Sequence, residues 1–150
     1  MSTLELATER DPRTAEIAMG LGLLLTVTTL IASVIDQARV HSIADHVTAL
    51  YAPLGLHPDP NVLSGFLDAI GAFGTVLWLT MIWAVSRHKP WARVVSRLIF
   101  VVATGVGLLV LSASEYGTPI FPTVWGVLVL LPCVAGLVAV LALQHRGTDR

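Results

Sequence analysis

At 150 residues the chain has room for one domain, and with 55% hydrophobic and 13% charged side chains it carries about half the ~25% charge of an ordinary soluble domain. A net charge of −1 gives no case for nucleic-acid binding. The single cysteine, Cys133, excludes an intrachain disulfide, a CxxC redox pair and a cysteine-based zinc site, and reads as a free thiol packed as a small hydrophobe.

The first apolar stretch runs from about residue 17 to 36. It is apolar all the way round, as a lipid-facing helix must be, and approaches the ~20 residues needed to cross a bilayer core. Glu5, Glu9, Asp11 and Glu16 dilute the positive charge of Arg10 and Arg13 ahead of it. The run is also longer than the ~7–15 residues of a signal-peptide core, so it reads as a retained span. Asp36 ends it.

The connection from Asp36 to Asn61 has structure of its own. Val40, Ile43, Ala44, Val47, Leu50 and Tyr51 recur at helical spacing, with His41, Asp45 and Thr48 opposite. This predicts a short amphipathic helix on the outer membrane surface or over the end of the bundle. Pro53, Gly55, Pro58 and Pro60 end it. Asp59-Pro60 then starts the second span, residues 61–86, with an N-cap carboxylate and a first-turn proline.

Within that span Ser64, Asp68, Gly71, Ala72 and Thr75 lie along one side. The turn at Ser86–Pro90 leads into span three, residues 94–114, thinned by Gly105 and Gly107 as span one is by Gly20 and Gly22. Small residues let membrane helices approach closely. Glu115–Pro122 is a tight turn before span four, residues 122–143, in which Pro132 predicts a kink. Short turns imply antiparallel neighbours, so spans two and three, and three and four, are expected to pack as hairpins. The expected fold is all-α: a four-transmembrane-helix antiparallel bundle with a short amphipathic outer helix between spans one and two.

Arg10, Arg13, Arg87, Lys89, Arg93, Arg97, Arg146 and Arg150 fall on one side of this frame and only Arg39 on the other. By the positive-inside rule, both termini are cytoplasmic and the protein is a multi-pass component of the cell membrane. Trp83 and Trp91 flank the cytoplasmic turn, Tyr51, Tyr116 and Trp125 lie near the outer surface, and Trp78 reads as a deeper packing residue.

Asp68, about 10 Å into span two, is the foremost candidate for function, since an ionisable group inside a membrane is a functional-site hypothesis by default. The plain alternative is a hydrogen-bonded carboxyl that ties helices together. Asp36 and Glu115 fall toward the same side, so the three acids form a candidate proton or cation site in an outer vestibule. His41 and Asp45, four apart, are weak candidates for a metal ion; no HExxH, paired cysteine or EF-hand loop accompanies them. None of the five histidines lies within an apolar core, which argues against b-type haem, and no cofactor is predicted. Arg87, Lys89, Arg93 and Arg97 set topology and are candidates for anionic lipid headgroups.

The stretches Leu56–Leu63 (LHPDPNVL), Ile82–Arg93 (IWAVSRHKPWAR), Glu115–Ile120 (EYGTPI) and Leu131–Val138 (LPCVAGLV), with the spacing of the spans, resemble small, uncharacterised four-span membrane proteins of high-GC bacteria. The resemblance is one of architecture and implies a four-helix membrane bundle without catalytic residues to carry over. Small multidrug exporters are of similar size but use a glutamate within the first span, where this chain has no acid before Asp36. Quinone-linked redox proteins with a membrane CxxC are excluded by the lone cysteine. The sequence therefore points to a non-enzymatic accessory, assembly or interaction component of a membrane complex, or a self-associating bundle. A small proton- or cation-coupled transporter or sensor built around Asp68 is the alternative, and a lipid- or quinone-modifying enzyme comes third.

Overall fold

The computed structural model describes residues 12–144, with side chains from Thr14 to Leu143. Arg10, His145, Arg146 and Arg150 lie outside the described residues, as does the side chain of Arg13. Four long helices follow the expected order: α1 (Pro12–Ile35), α3 (Asn61–Ser86), α4 (Ala92–Ser112) and α5 (Thr123–Gln144). The short α2 (Ser42–Tyr51) stands between α1 and α3. The four apolar spans hold 21–27 residues, about 31–40 Å at 1.5 Å per residue, enough to cross a core of about 30 Å. The chain thus fits a small integral membrane protein.

Several threonine hydroxyls bond within their own helices, as a dry surrounding favours. Thr26, Thr28 and Thr29 of α1 donate to the carbonyls of Gly22, Leu24 and Leu25, and Thr75 and Thr80 of α3 to those of Gly71 and Val76, all at 2.8–2.9 Å. Asp59 Oδ1 accepts the Asn61 N–H at 2.9 Å, but the N-cap position of α3 is Pro60 and Asn61 its first helical residue, one position later than the expected start at Asp59-Pro60.

α1 is central: it packs against both α3 and α5, while α5 packs on its other side against α4. Glycines make these seams close. A Cβ on Gly71 of α3 would stand 3.1 Å from the Leu30 side chain of α1, and one on Gly126 of α5 would meet Leu111 of α4 at 2.7 Å. Gly20 and Gly105, which read as contact glycines, face open space instead.

The α3–α4 pair corrects the expected hairpin. The two helices meet beside their short turn, where Ala84 and Ala92 are buried with Ala15, Ala18, Met19, Val85, Ala139, Ala142 and Leu143. Farther along they make little contact. The reason lies in which faces are thin: α3 spends its glycine side on α1 and α4 spends Gly107 on α5, against Leu130. What remains between α3 and α4 is bulky, including Phe73, Leu77, Leu98 and Val102, and these side chains border a gap.

The opposite end of the bundle is capped. Ile43 and Val47 of α2, each 1% exposed, pack with Leu67, Val110, Phe121 and Trp125. A two-residue hairpin pairs β1 (Ser114–Glu115) with β2 (Thr118–Pro119). Tyr116 and Gly117 have φ of 53° and 80°, the two positive values of a type I′ turn. We call this the cap end, and the end with the α3–α4 turn the tail end.

Candidate functional site

α1 does not stop at Asp36 but passes into a π-turn, Asp36–Val40, closed by a 2.7 Å bond from the His41 N–H to the Asp36 carbonyl. His41 then turns the chain at φ 59° into α2. The Asp36 carboxylate, 5% exposed, accepts the N–H groups of Ser42 at 3.0 Å and Ile43 at 3.2 Å. It therefore satisfies two of the four orphan donors of the α2 N-terminus and supplies the negative charge that end favours.

Asp68 accepts 2.8 Å from Gln37 Nε2, which also reaches Ser33. Its second oxygen, Oδ1, is buried without a partner, as is Thr104 Oγ1 on α4. Glu115 accepts from the Tyr51 hydroxyl. That bond raises the tyrosine above its ordinary value of 10.0, because the neighbouring carboxylate favours the neutral phenol. The three acids thus share the cap end but are engaged separately: Asp36 on α2, Asp68 on Gln37 of the π-turn, and Glu115 across to Tyr51.

The cap is further tied by His46 Nε2, which donates to the Pro119 carbonyl at 2.7 Å, and by Trp125 Nε1, which donates to Ser42 Oγ at 3.3 Å. His41 and Asp45 are both exposed. Among the described residues no group of three or more His, Cys, Asp or Glu side chains is placed to hold a metal ion. At the tail end Arg87, Lys89, Arg93 and Arg97 are all exposed around the α3–α4 turn, with Lys89 Nζ 5.9 Å from the centre of the Trp83 ring.

The gap between α3 and α4 is itself a feature. A cavity of about 380 Å³ occupies the middle of the bundle between α3 and α4, backed by α1 and α5. This size falls within the ~300–1,000 Å³ typical of small-ligand sites. Its walls are almost wholly carbon: Phe73, Leu77 and Trp78 on one side, Leu98, Phe100 and Val102 on the other, and Val129, Pro132 and Gly136 behind. Trp78 and Phe100 both come over Gly136, where a Cβ would touch them at 3.7 and 3.4 Å.

The hydroxyl and indole groups in the wall already have partners. Trp78 Nε1 donates to Thr26 Oγ1 at 3.0 Å, which in turn donates to Gly22. Ser96 donates to the Arg93 carbonyl at 3.0 Å. Thr29 has a double duty: its hydroxyl lies 2.9 Å from the Leu25 carbonyl and 3.4 Å from that of Leu128. Leu128 stands four residues before Pro132, which has no N–H to give it. The hydroxyl from α1 supplies part of what the proline removes.

From the sequence, Asp68 lies inside span two and Trp78 is a packing residue, whereas the cavity, the capping role of Asp36 and the Thr29–Leu128 contact are not foreseen. The last was signalled by Pro132, which frees one carbonyl wherever it sits in a helix. The cavity had no local signal, since it depends on which faces pair. Comparison with protein-family models, with curated proteins and with solved structures finds no match.

Proposed function

We propose that this protein is a non-catalytic membrane component that acts by binding within the hydrocarbon layer, as an accessory or assembly partner of a larger membrane complex or of a second copy of itself. One observation carries this reading: the bundle is packed along the α1–α3, α1–α5 and α4–α5 seams and left open, with carbon-lined walls, along the fourth. The acids are committed to capping and to tying helices, which favours binding over chemistry. In a cell membrane with the tail end cytoplasmic, Arg87, Lys89, Arg93 and Arg97 hold anionic headgroups and fix the orientation.

Photo-crosslinking amino acids at Leu98 and Val102, beside the gap, and at Val124, 65% exposed on α5, test the reading in native membranes. Discrete adducts specific to the gap positions are expected. The same diffuse adducts at all three positions would contradict it.

The second reading, a proton- or cation-coupled transporter or sensor, is favoured by the unpartnered Asp68 Oδ1. It requires that Asp68→Asn abolish a pH-dependent flux in proteoliposomes. An unchanged flux rejects it.

A further inference from the structure

We propose that α2 is a lid: it undocks from the cap end as a unit and opens the cavity between α3 and α4 to the water on that side. Such a lid works whatever occupies the cavity.

Ile43 and Val47 of α2 belong to the same buried cluster as Leu67 and Trp125, with Ile70, Leu128 and Val129 packed against it. Leu67, Ile70, Trp125, Leu128 and Val129 also line the cavity. The floor beneath α2 and the cap-end wall of the cavity are therefore one set of side chains. Lifting α2 turns that wall toward water.

Of the five described α-helices, α2 is also the one that water can release. The other four are spans, and a backbone group left unpaired in hydrocarbon has no water to turn to. α2 lies outside the spans, between Val40 and Asn61, where water takes up the N–H and C=O groups that an undocked segment exposes. Its ten residues are too few to hold a helix alone, so its order depends on docking.

Turns bound the segment. At one end His41 stands at φ 59°, a left-handed conformation uncommon outside glycine, and strain of this kind collects at switch regions. At the other end Gly55 takes φ 70° without that cost. The ties that hold the lid shut are polar. Asp36 accepts the Ser42 and Ile43 N–H groups, Trp125 donates to the Ser42 hydroxyl, His46 to the Pro119 carbonyl and Tyr51 to Glu115. Water replaces each of these bonds when the lid lifts.

Leu128, about 7.5 Å below the start of α5, places a reporter behind the lid. Full-length Cys133→Ala/Leu128→Cys protein in phosphatidylcholine nanodiscs is treated with a charged methanethiosulfonate, which water carries and hydrocarbon excludes. Ile43→Ala and Val47→Ala loosen the lid, and each should raise the labelling rate at least tenfold. Amide exchange over α2, followed by mass spectrometry, should rise by a similar factor. Val85→Ala, a comparable truncation in the tail-end cluster, should move neither rate. Circular dichroism establishes that each variant is folded. Labelling that stays unchanged while α2 exchanges faster overturns the proposal, because α2 would then open onto nothing. So do labelling absent from every variant, rates unmoved by Ile43→Ala and Val47→Ala, and equal acceleration by Val85→Ala, which reports general loosening.

Discussion

At the scale of single residues the bundle is held by a few points where polarity and volume are solved together. A Cβ on Gly22 would lie 2.3 Å from the Trp78 ring, so Gly22→Ala should push the indole off Thr26. The expected loss is about 1–3 kcal/mol by overpacking, read by unfolding in mixed micelles of increasing SDS fraction. The Thr29–Leu128 contact makes a sharper test. Interhelical hydrogen bonds in membranes average about 0.6 kcal/mol, and Thr29→Val should cost about that much. In a Pro132→Ala background, where residue 132 regains an N–H for Leu128, the same substitution should cost less. Equal costs in both backgrounds would show that the hydroxyl does not serve the freed carbonyl.

Tyr51 gives a prediction in pH. Its hydroxyl titrates higher in the folded chain than alone, because it donates to Glu115. The bond therefore contributes fully below the ordinary value of 10.0 and is lost as pH rises through the raised value. The chain has two tyrosines, Tyr51 and Tyr116. Ultraviolet titration should show a late phase that disappears in Tyr51→Phe and moves down in Glu115→Gln. A titration unaltered by Glu115→Gln would mean the pair does not form.

At the scale of elements, α2 decides what the cap end is. Its apolar face was legible because Ile43 and Val47 sit one turn apart between polar neighbours, and both are buried. Its N-terminus was not, because the capping carboxylate comes from Asp36, across a π-turn that no periodicity announces. Asp36→Ala should cost about 1–2 kcal/mol and speed amide exchange at Ser42 and Ile43 well before the long helices open. Exchange that changes evenly over the whole chain would count against a local capping role. Ile43→Ala, emptying a fully buried site, should cost about 2–5 kcal/mol.

At the scale of the molecule, span number and order were readable because crossing a bilayer sets a length that apolar runs either meet or miss. Helix neighbours were not. The short turn at Ser86–Pro90 makes α3 and α4 adjacent in the chain, yet adjacency at one end does not decide packing along the span. Gly71 and Gly126 decide it by letting α1 approach α3 and α5 approach α4, and the seam without such thin faces stays open. The candidate acids were legible as residues but not as a site, since their partners, Gln37, Tyr51 and the α2 backbone, come from elsewhere in the chain.

Cysteine cross-linking in native membranes, starting from Cys133→Ala protein, tests the open seam directly. Leu30→Cys/Gly71→Cys, across α1 and α3, and Leu111→Cys/Gly126→Cys, across α4 and α5, bring the sulfur-bearing carbons close to the ~3.5–4.5 Å of a disulfide and should oxidise readily. Leu77→Cys/Val102→Cys, on the walls that α3 and α4 give the cavity, should remain reduced under the same conditions. Rapid cross-linking of that third pair would show the fourth seam closed and contradict the account.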